Sequence, residues 1–326
     1  MMELSVVVPV YGCRDCLDQL HERLARALEP ISPTCQMVFV DDRSPDGAWP
    51  VLETLARSDP HVKAIRLSRN FGQHAAITAG LAASEGEWTV VMDCDLQDPP
   101  ELIETLYAKA MTGFDLVFAR RRQRSQSPVR LLLARIYFKV LNTFMGTNID
   151  GGFGTFSILS RKVVDAYLSL GERDRHYLFV LNWLGFEQGV IDFDQGDRPA
   201  GKSSYTLRKL VGHALSGIFF QTTTLLVYIV YLGFVIVAMG VLLSAFLVYL
   251  DLVAHPQPGW VSVMVLILVI GGFIITSTGV TGLYIGRVFQ QVKGRPLYVV
   301  DSVVRKPPAR QAVKEKPPRQ EVESLH

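Results

Sequence analysis

Short apolar runs alternate with amphipathic stretches of helical length from the start of the chain to about residue 120. The apolar runs predict strands over residues 4–10, 37–40, 62–67, 88–92 and 115–119, and the stretches between them predict helices over residues 16–28, 48–58, 73–84 and 100–111. Beyond them, a strand and a helix are predicted over 156–170, a helix over 177–184 and a short strand over 190–193. Apolar strands that alternate with helices indicate an α/β fold with a Rossmann-like, mostly parallel sheet covered on both faces.

Two long apolar segments follow, over residues 225–250 and 260–285. Each exceeds the roughly 20 residues that a helix needs to cross a bilayer, so we predict a C-terminal hairpin of two transmembrane helices. Lys and Arg flank the outer ends of this pair, whereas the loop between the two segments carries neither. The positive-inside rule therefore predicts a multi-pass protein of the cytoplasmic (inner) membrane, with its catalytic domain and both termini in the cytoplasm.

These segments divide the chain into predicted domains. A catalytic domain covers residues 1–205, a juxtamembrane amphipathic segment 206–224, and a basic cytoplasmic tail 286–326. The tail is rich in Pro, Lys and Glu from about residue 305, which predicts disorder there. Within the catalytic domain, a basic amphipathic helix is predicted over 128–145. It could lie on an anionic membrane surface, or it could be an ordinary amphipathic helix that packs on the sheet.

Composition and charge narrow the class of partner. The 326 residues carry a net charge of +2, which gives no general attraction to nucleic acid. Four cysteines are too few for a disulfide framework in a chain of this length, so free thiols in a reducing compartment are expected. Cys13 and Cys16 have the spacing of thioredoxin-like sites, but the surrounding motifs belong to another fold, and a redox role is not expected.

Acidic residues follow two of the predicted strands. Asp93 and Asp95 end the strand over 88–92, and a pair of carboxylates with substrate phosphates is a typical Mg²⁺ site. The spacing alone fits equally well a helix N-cap made by Asp95 or Asp98 before two prolines. At the end of the strand over 37–40, Asp42 could accept hydrogen bonds from a base or a ribose, or the turn after it could be only an Asx-turn.

Four runs of residues in this order resemble glycosyltransferase family 2. They are VVVPVY at 6–11, VDDRS at 40–44, SRNFGQHAA at 68–76 and MDCDLQDPP at 92–100. The last two runs are similar to the branch that acts on polyisoprenyl phosphates, which includes dolichol-phosphate mannose synthases and bacterial undecaprenyl-phosphate glucosyl and aminoarabinosyl transferases. The resemblance continues through RPAGKSSY at 198–205 and GLYIGR at 282–287.

The resemblance implies a GT-A fold, a Mg²⁺ or Mn²⁺ ion and inversion at the anomeric carbon. It implies that Pro9, Tyr11 and Asp42 hold the uracil and its ribose. Asp93 and Asp95 would flank the diphosphate, and Asp95 would be the direct metal ligand.

The same resemblance implies positions for the sugar and for the phosphates. Gln97 would lie near the sugar. Phosphates of donor and acceptor would meet Arg120 or Arg122, together with Arg198, Ser203 and Tyr205, since a guanidinium binds phosphate oxygens through two parallel hydrogen bonds. Without the resemblance, residues 120–122 would be interpreted as a solvated charge run or a membrane-surface patch.

One position departs from the family pattern. Many relatives carry Gly-Asp-Phe-Arg where this chain has Gly154-Thr155-Phe156-Ser157, so Thr155 replaces an acidic residue at a catalytic position. A phosphate acceptor is already largely anionic at neutral pH, and positioning with charge stabilisation can then supply most of the rate without a general base. The change could equally reflect another donor sugar or another pose of the acceptor.

The expected function is therefore transfer of a sugar from a nucleotide sugar, with UDP as the expected nucleotide, to a polyisoprenyl phosphate at the cytoplasmic membrane face. Two alternatives stay open: a transferase that acts on a non-lipid acceptor, and a degenerate nucleotide-sugar-binding scaffold. Members of the family form homo-oligomers, so the resemblance also implies a homo-oligomer here.

Overall fold

The computed structural model describes residues 2–122, 152–172, 175–194 and 260–306, together with helical positions between 229 and 253 that include the run 231–236. The described residues form eight strands: β1 (Met2–Val10), β2 (Cys35–Asp41), β3 (Val62–Leu67), β4 (Gly86–Val91), β5 (Leu116–Arg121), β6 (Phe153–Ser160), β7 (Gln188–Phe193) and β8 (Val300–Arg305). The helices are α1 (Leu17–Leu28), α2 (Ala48–Ser58), α3 (Gln73–Ala83), α4 (Leu102–Ala110), α5 (Arg161–Ser169), α6 (Tyr177–Trp183) and α7 (Trp260–Val292).

All eight strands form one sheet in the order β7-β5-β6-β4-β1-β2-β3-β8. Six strands run in one direction, while β6 and β8 are antiparallel to their neighbours. One buried cluster lies between the sheet and α1, α2 and α4, and a second lies between the sheet and α3, α5 and α6. The predicted α/β fold with a mostly parallel, doubly covered sheet is confirmed, because these β-branched strands are buried on both faces.

Helix α3 packs unusually close to the centre of the sheet. Its sequence is mostly Ala, Thr and Gly, and seven of its residues are buried. A Cβ added to Gly80 would overlap Cγ1 of Val7 on β1 and lie 3.3 Å from Cγ2 of Val40 on β2. The small residues of α3 thus let its backbone approach the strands that carry the candidate site.

Strand β8 was not predicted from the sequence. It pairs antiparallel with β3 from Lys63↔Arg305 to Leu67↔Val300 and so covers that edge of the sheet. Beside the ladder, the backbone amide of Lys306 donates to the carbonyl of Ala56, 3.0 Å away. The predicted tail, residues 286–326, therefore contains a strand that belongs to the catalytic sheet.

The expectation of four free thiols is wrong for two of them. Cys13 and Cys94 form a disulfide, with 6.3 Å between their Cα atoms, while Cys16 and Cys35 are free. The physical reason is the strand order: β1 and β4 are parallel neighbours paired Val7↔Val91, so the loops that follow them leave the sheet side by side.

Several predictions fall partly or wholly outside the described residues. These are the helix over 128–145, the juxtamembrane segment 206–224, most of the first apolar segment 225–250, the chain beyond 306, and the side chains of Arg198, Ser203 and Tyr205. Helix α7 covers the second apolar segment and continues to Val292. Within the described residues, no helix combines the length and the hydropathy that crossing a bilayer requires.

Candidate active site

The carboxyl ends of β1, β2, β4 and β5 meet at one edge of the sheet, and β6, which is antiparallel, begins at the same edge. In open α/β sheets this edge is where ligands bind. The loops that leave these strands carry most of the described residues singled out from the sequence. They are Tyr11, Asp42, Asp93, Asp95, Gln97 and Arg122, while Thr155 lies within β6 itself.

Asp93 stands at the centre of this edge. Its Oδ1 accepts hydrogen bonds from Nε2 of Gln73, 2.7 Å away, and from Oγ1 of Thr155, 2.9 Å away. Its Oδ2 lies 3.9 Å from Nη2 of Arg121, and 27% of its side chain is exposed. Burial raises the pKa of Asp93, and the Thr155 hydroxyl and the Arg121 charge partly offset that rise. The carboxylate is thus oriented by two neutral donors, with its other oxygen turned towards a cation.

Arg121 links Asp93 to a second, fully buried carboxylate. Its Nη2 lies 3.0 Å from Oδ1 of Asp98, whose side chain has no exposed surface. Burial raises the pKa of Asp98 to about 6, and the like charges of Asp93 and Asp95 add to the rise, while the guanidinium of Arg121 partly offsets it. Nε of Arg121 and Oδ2 of Asp98 have no hydrogen-bond partner among the described residues. The cluster therefore keeps unused hydrogen-bonding capacity beside Asp93.

The arginine in this cluster is one that sequence reasoning missed. Arg120 instead makes a two-pronged ion pair with Asp192 on β7, at 2.6 and 3.1 Å, and Arg122 lies 4.0 Å from Asp194. Alternation along a strand explains this division, since residues 120 and 122 face one side and 121 the other. The same alternation, applied to the sequence, could have shown that the middle arginine faces the side opposite to its two neighbours.

Asp95 lies in a turn with an unusual backbone. Its Oδ1 accepts a hydrogen bond from the amide of Gln97 at 3.2 Å, and Leu96 between them has φ of 60° although it is not glycine. Such left-handed residues are uncommon outside glycine and concentrate at functional sites.

The alternative of an N-cap at Asp95 or Asp98 is wrong. Helix α4 has Glu101 as its N-cap residue, and no side chain makes a capping hydrogen bond there.

Asp42 holds a loop rather than facing open solvent. Its two oxygens accept hydrogen bonds from the amides of Phe71 and Gly72, at 2.7 and 2.8 Å, and only 3% of the residue is exposed. Burial raises the pKa of Asp42, and the two amides partly offset the rise. This carboxylate thereby ties the end of β2 to the loop that leads to Gln73 and hence to Asp93.

The turn after β2 also has the Asx-turn character considered from the sequence. The amide of Ala48 donates to Oδ1 of Asp46, two residues before it, at 3.3 Å. The amide of Ser44 donates to Oδ1 of Asp41 at 2.9 Å, and the amide of Gly12 donates to Oγ of Ser44 at 3.3 Å. Of the other two residues assigned to the nucleotide, Pro9 is buried inside β1, while Tyr11 is 53% exposed. Only the ring of Tyr11 is thus presented to a ligand.

His74 lies beside this site and is held by α6. Its Nδ1 accepts from the amide of Tyr177 at 3.4 Å, and its ring lies 4.6 Å from that of His176.

The acidic residues of this site suit a divalent cation whose coordination shell is completed by oxygen atoms of a bound substrate. Among the described residues, no group of three or more His, Cys, Asp or Glu side chains is placed to hold a metal alone. Asp93 and Asp95 are hard oxygen donors two residues apart, and Mg²⁺ is commonly held by one or two carboxylates together with substrate phosphates. The donor set therefore fits Mg²⁺ or Mn²⁺ bound together with a diphosphate.

Comparison with known proteins decides the family. The sequence model of glycosyl transferase family 2 matches residues 5–168. The chain belongs to glycosyltransferase family 2. This confirms the family predicted from the four runs of residues, and with it the GT-A-like α/β character of the sheet.

Relatives match this family 2 chain over nearly its whole length. A glycosyltransferase of Synechocystis sp. is 36% identical over 304 residues, which are 93% of this chain and 96% of the relative. The SfII prophage-derived bactoprenol glucosyl transferase of Shigella flexneri is 34% identical over 92% of this chain and 97% of the relative. Among solved structures, the chain is similar to a mannosyltransferase from Pyrobaculum calidifontis, with 16% identity, a TM-score of 0.47 and coverage of 67% of this chain and 63% of that one.

Proposed function

We propose that this family 2 glycosyltransferase moves glucose from UDP-glucose to undecaprenyl phosphate, with inversion at the anomeric carbon. The observation that carries the proposal is the pair Asp93 and Asp95 beyond the end of β4. Asp93 is oriented by Gln73, Thr155 and Arg121. Asp95 accepts a hydrogen bond from the amide of Gln97. The similarity to bactoprenol glucosyl transferases, which extends through the C-terminal part of the chain, supports the sugar and the lipid acceptor.

Asp93 and Asp95 would hold Mg²⁺ or Mn²⁺ beside the donor diphosphate. When bound, such an ion supplies Lewis-acid stabilisation of the charge that develops on the departing nucleotide. Arg121 is proposed to share this task, because its guanidinium lies 3.9 Å from Asp93 and its side chain is 26% exposed.

The nucleotide would lie over the ends of β1 and β2. The half-exposed ring of Tyr11 offers an apolar face to the uracil, and Asp42 contributes by fixing the loop of Phe71 and Gly72 under it. Gln97 follows the Asp95 turn and would face the sugar. Arg120, Arg122, Arg198, Ser203 and Tyr205 are proposed to meet the acceptor phosphate as it approaches from the membrane.

The reaction needs no general base from the protein. An oxygen of the acceptor phosphate attacks the anomeric carbon, the bond from that carbon to the β-phosphate oxygen breaks, and UDP leaves with the electron pair. Since the phosphate monoester is mostly ionised at neutral pH, Thr155 can stand where an acid is common in relatives. In this chain Thr155 instead orients Asp93.

We further propose that segments 225–250 and 260–285 attach the enzyme to the cytoplasmic membrane as a hairpin and that it works there as a homo-oligomer. The apolar length of both segments and the Lys and Arg at their outer ends support this arrangement. It would bring the site to the headgroup level, where a polyprenyl phosphate presents its charge.

The test uses the full chain in detergent micelles or liposomes with undecaprenyl phosphate, Mn²⁺ or Mg²⁺, and UDP-glucose beside other nucleotide sugars. Glycolipid is detected by mass spectrometry and released UDP by a coupled assay. Asp95→Asn should lower the rate of glycolipid formation at least about 100-fold, which is the effect typical of losing a group needed to stabilise transition-state charge. Asp18→Asn is the matched control, because Asp18 is an exposed carboxylate on α1.

Each other outcome replaces the proposal by a named alternative. Product from another nucleotide sugar would change the donor. UDP release without glycolipid, restored by a saccharide or peptide, would establish a non-lipid acceptor. Binding of UDP without turnover on any acceptor would favour a nucleotide-sugar-binding scaffold.

A further inference from the structure

A disulfide joins two loops of the candidate active site. Cys13 lies three residues beyond the end of β1, and Cys94 lies between Asp93 and Asp95. The bond therefore connects the loop of Tyr11 with the turn that carries both candidate metal ligands. The Cα separation of 6.3 Å is within the usual range for disulfides, about 4.4–6.8 Å.

The two sulfurs differ in how they meet solvent. Cys94 is 6% exposed, whereas Cys13 is partly exposed and follows the exposed residues Tyr11 and Gly12. A reductant would thus reach the bond from the Cys13 side. The free Cys16 lies one short turn further on, where its amide donates to the carbonyl of Cys13 at 3.0 Å, while the free Cys35 is buried on β2.

The turn that follows this bond contains a backbone conformation that its residue does not favour intrinsically. Leu96 has a left-handed backbone, and its side chain is 5% exposed within the core cluster that also contains Cys94. Residues in such conformations persist where surrounding structure holds them. A covalent link two residues before Leu96 is one such restraint on Asp95.

We propose that Cys13 and Cys94 are a reversible thiol–disulfide site whose oxidised form fixes the Asp93–Asp95 turn for binding of the metal and the nucleotide. A dithiol reductant is the proposed partner: two electrons and two protons pass from it to the protein sulfurs, which become two thiols, while the reductant becomes a disulfide. A low-molecular-weight disulfide reverses the exchange. The inference rests on the proposed function for the identity of the nucleotide and the metal, but UDP binding is measured independently of sugar transfer.

The first measurement maps the bond in the full, detergent-purified chain. Denatured protein is alkylated with one reagent, reduced, and alkylated with a second, and the peptides are identified by mass spectrometry. Cys13 and Cys94 should carry the second label, and Cys16 and Cys35 the first. First-label modification of Cys13 and Cys94 in protein purified without reductant would overturn the proposal.

The second measurement tests what the bond does. Protein equilibrated with graded ratios of reduced and oxidised dithiothreitol is desalted and titrated with UDP and Mn²⁺. Because pre-ordering of a site mainly lowers the cost of binding, reduction should weaken UDP binding by about 3- to 10-fold. Cys13→Ser should bind like the reduced wild type at every ratio, and Cys35→Ser should keep the full response. The unreduced and reduced wild type give the same comparison if a variant fails to fold.

Equal UDP affinity of the oxidised and reduced wild type would overturn the proposal, and would leave glycolipid synthesis as a separate question. Conversely, redox-dependent UDP binding in a chain that makes no glycolipid would uphold this site and remove the proposed function. The two failures are therefore distinguishable.

Discussion

The hydroxyl of Thr155 donates a hydrogen bond to the carboxylate of Asp93, with 2.9 Å between Oγ1 and Oδ1. Thr155 stands where the resemblance to the family leads us to expect an acid. In this chain it touches a candidate metal ligand and supplies a donor, where a carboxylate would supply a like charge. The departure from the family pattern is thus compatible with an intact site.

Replacement of this hydroxyl should weaken the enzyme moderately. In Thr155→Val, Asp93 loses one of its two neutral donors, and a hydrogen bond worth about 0.5–1.5 kcal/mol corresponds to a loss of about 2- to 10-fold in kcat/KM. Because that hydrogen bond lowers the pKa of Asp93, its removal should also move the acidic limb of the pH–rate profile to higher pH. Thr155→Ser keeps the donor and should retain both the rate and the limb. An acidic limb that does not move in Thr155→Val would contradict this role.

The sequence was sufficient for most elements of the sheet but not for the contacts between their ends. Asp93 could be placed at the end of a strand because the apolar run before it is continuous. Its partner Gln73 could not, since only the order of strands brings α3 to that point. The Cys13–Cys94 bond could not be predicted for the same reason, because it depends on β1 and β4 being neighbours, which the apolar pattern does not specify.

Two other features depended on position in the sheet. Arg121 was passed over because three adjacent arginines look alike in sequence, whereas alternation along β5 separates them. Strand β8 was hidden because its residues follow a long apolar helix and precede a Pro- and Lys-rich tail. As an edge strand it needs only one partner, and that partner, β3, lies more than 230 residues earlier.

The buried Asp98 should make stability depend on pH. Its folded pKa, about 6, is above its ordinary value of 3.8, so the folded protein binds more protons than the unfolded chain between these values. Stability contributed by this group therefore falls as pH rises from about 4 to about 6 and is constant above. Two pKa units correspond to about 3 kcal/mol. Thermal unfolding of the wild type and Asp98→Asn across this range should differ by a pH-dependent amount of that sign. Parallel curves would show that Asp98 is not the group responsible.

Gly80 should be intolerant of even one added carbon. A Cβ there would overlap Val7 on β1, and overpacking of this kind typically costs about 1–3 kcal/mol. Gly80→Ala should therefore lower Tm by several degrees, measured by differential scanning fluorimetry. Gly171→Ala is the matched control, because nothing lies within 4 Å of a Cβ at that position. An unchanged Tm in Gly80→Ala would mean that α3 can move away from the sheet at no cost.

The C-terminal strand should be part of the stable domain. A chain that ends at Val299 lacks β8, which leaves the edge of β3 unpaired and removes the contacts of Arg305 with Glu85 and of Lys306 with Ala56. We expect it to unfold at a Tm lower by about 5 °C or more and to aggregate through the open edge, since unpaired strands recruit other chains.

A chain that ends at Lys306 keeps β8 and serves as the control, and its Tm should equal that of the full chain. Equal stability of the two truncated chains would show that β8 adds nothing to the sheet. If both truncated chains lost the same amount of Tm relative to the full chain, the stabilising contacts would belong to residues after 306. The comparison thus separates the strand from the tail that follows it, which the sequence alone had joined into one segment.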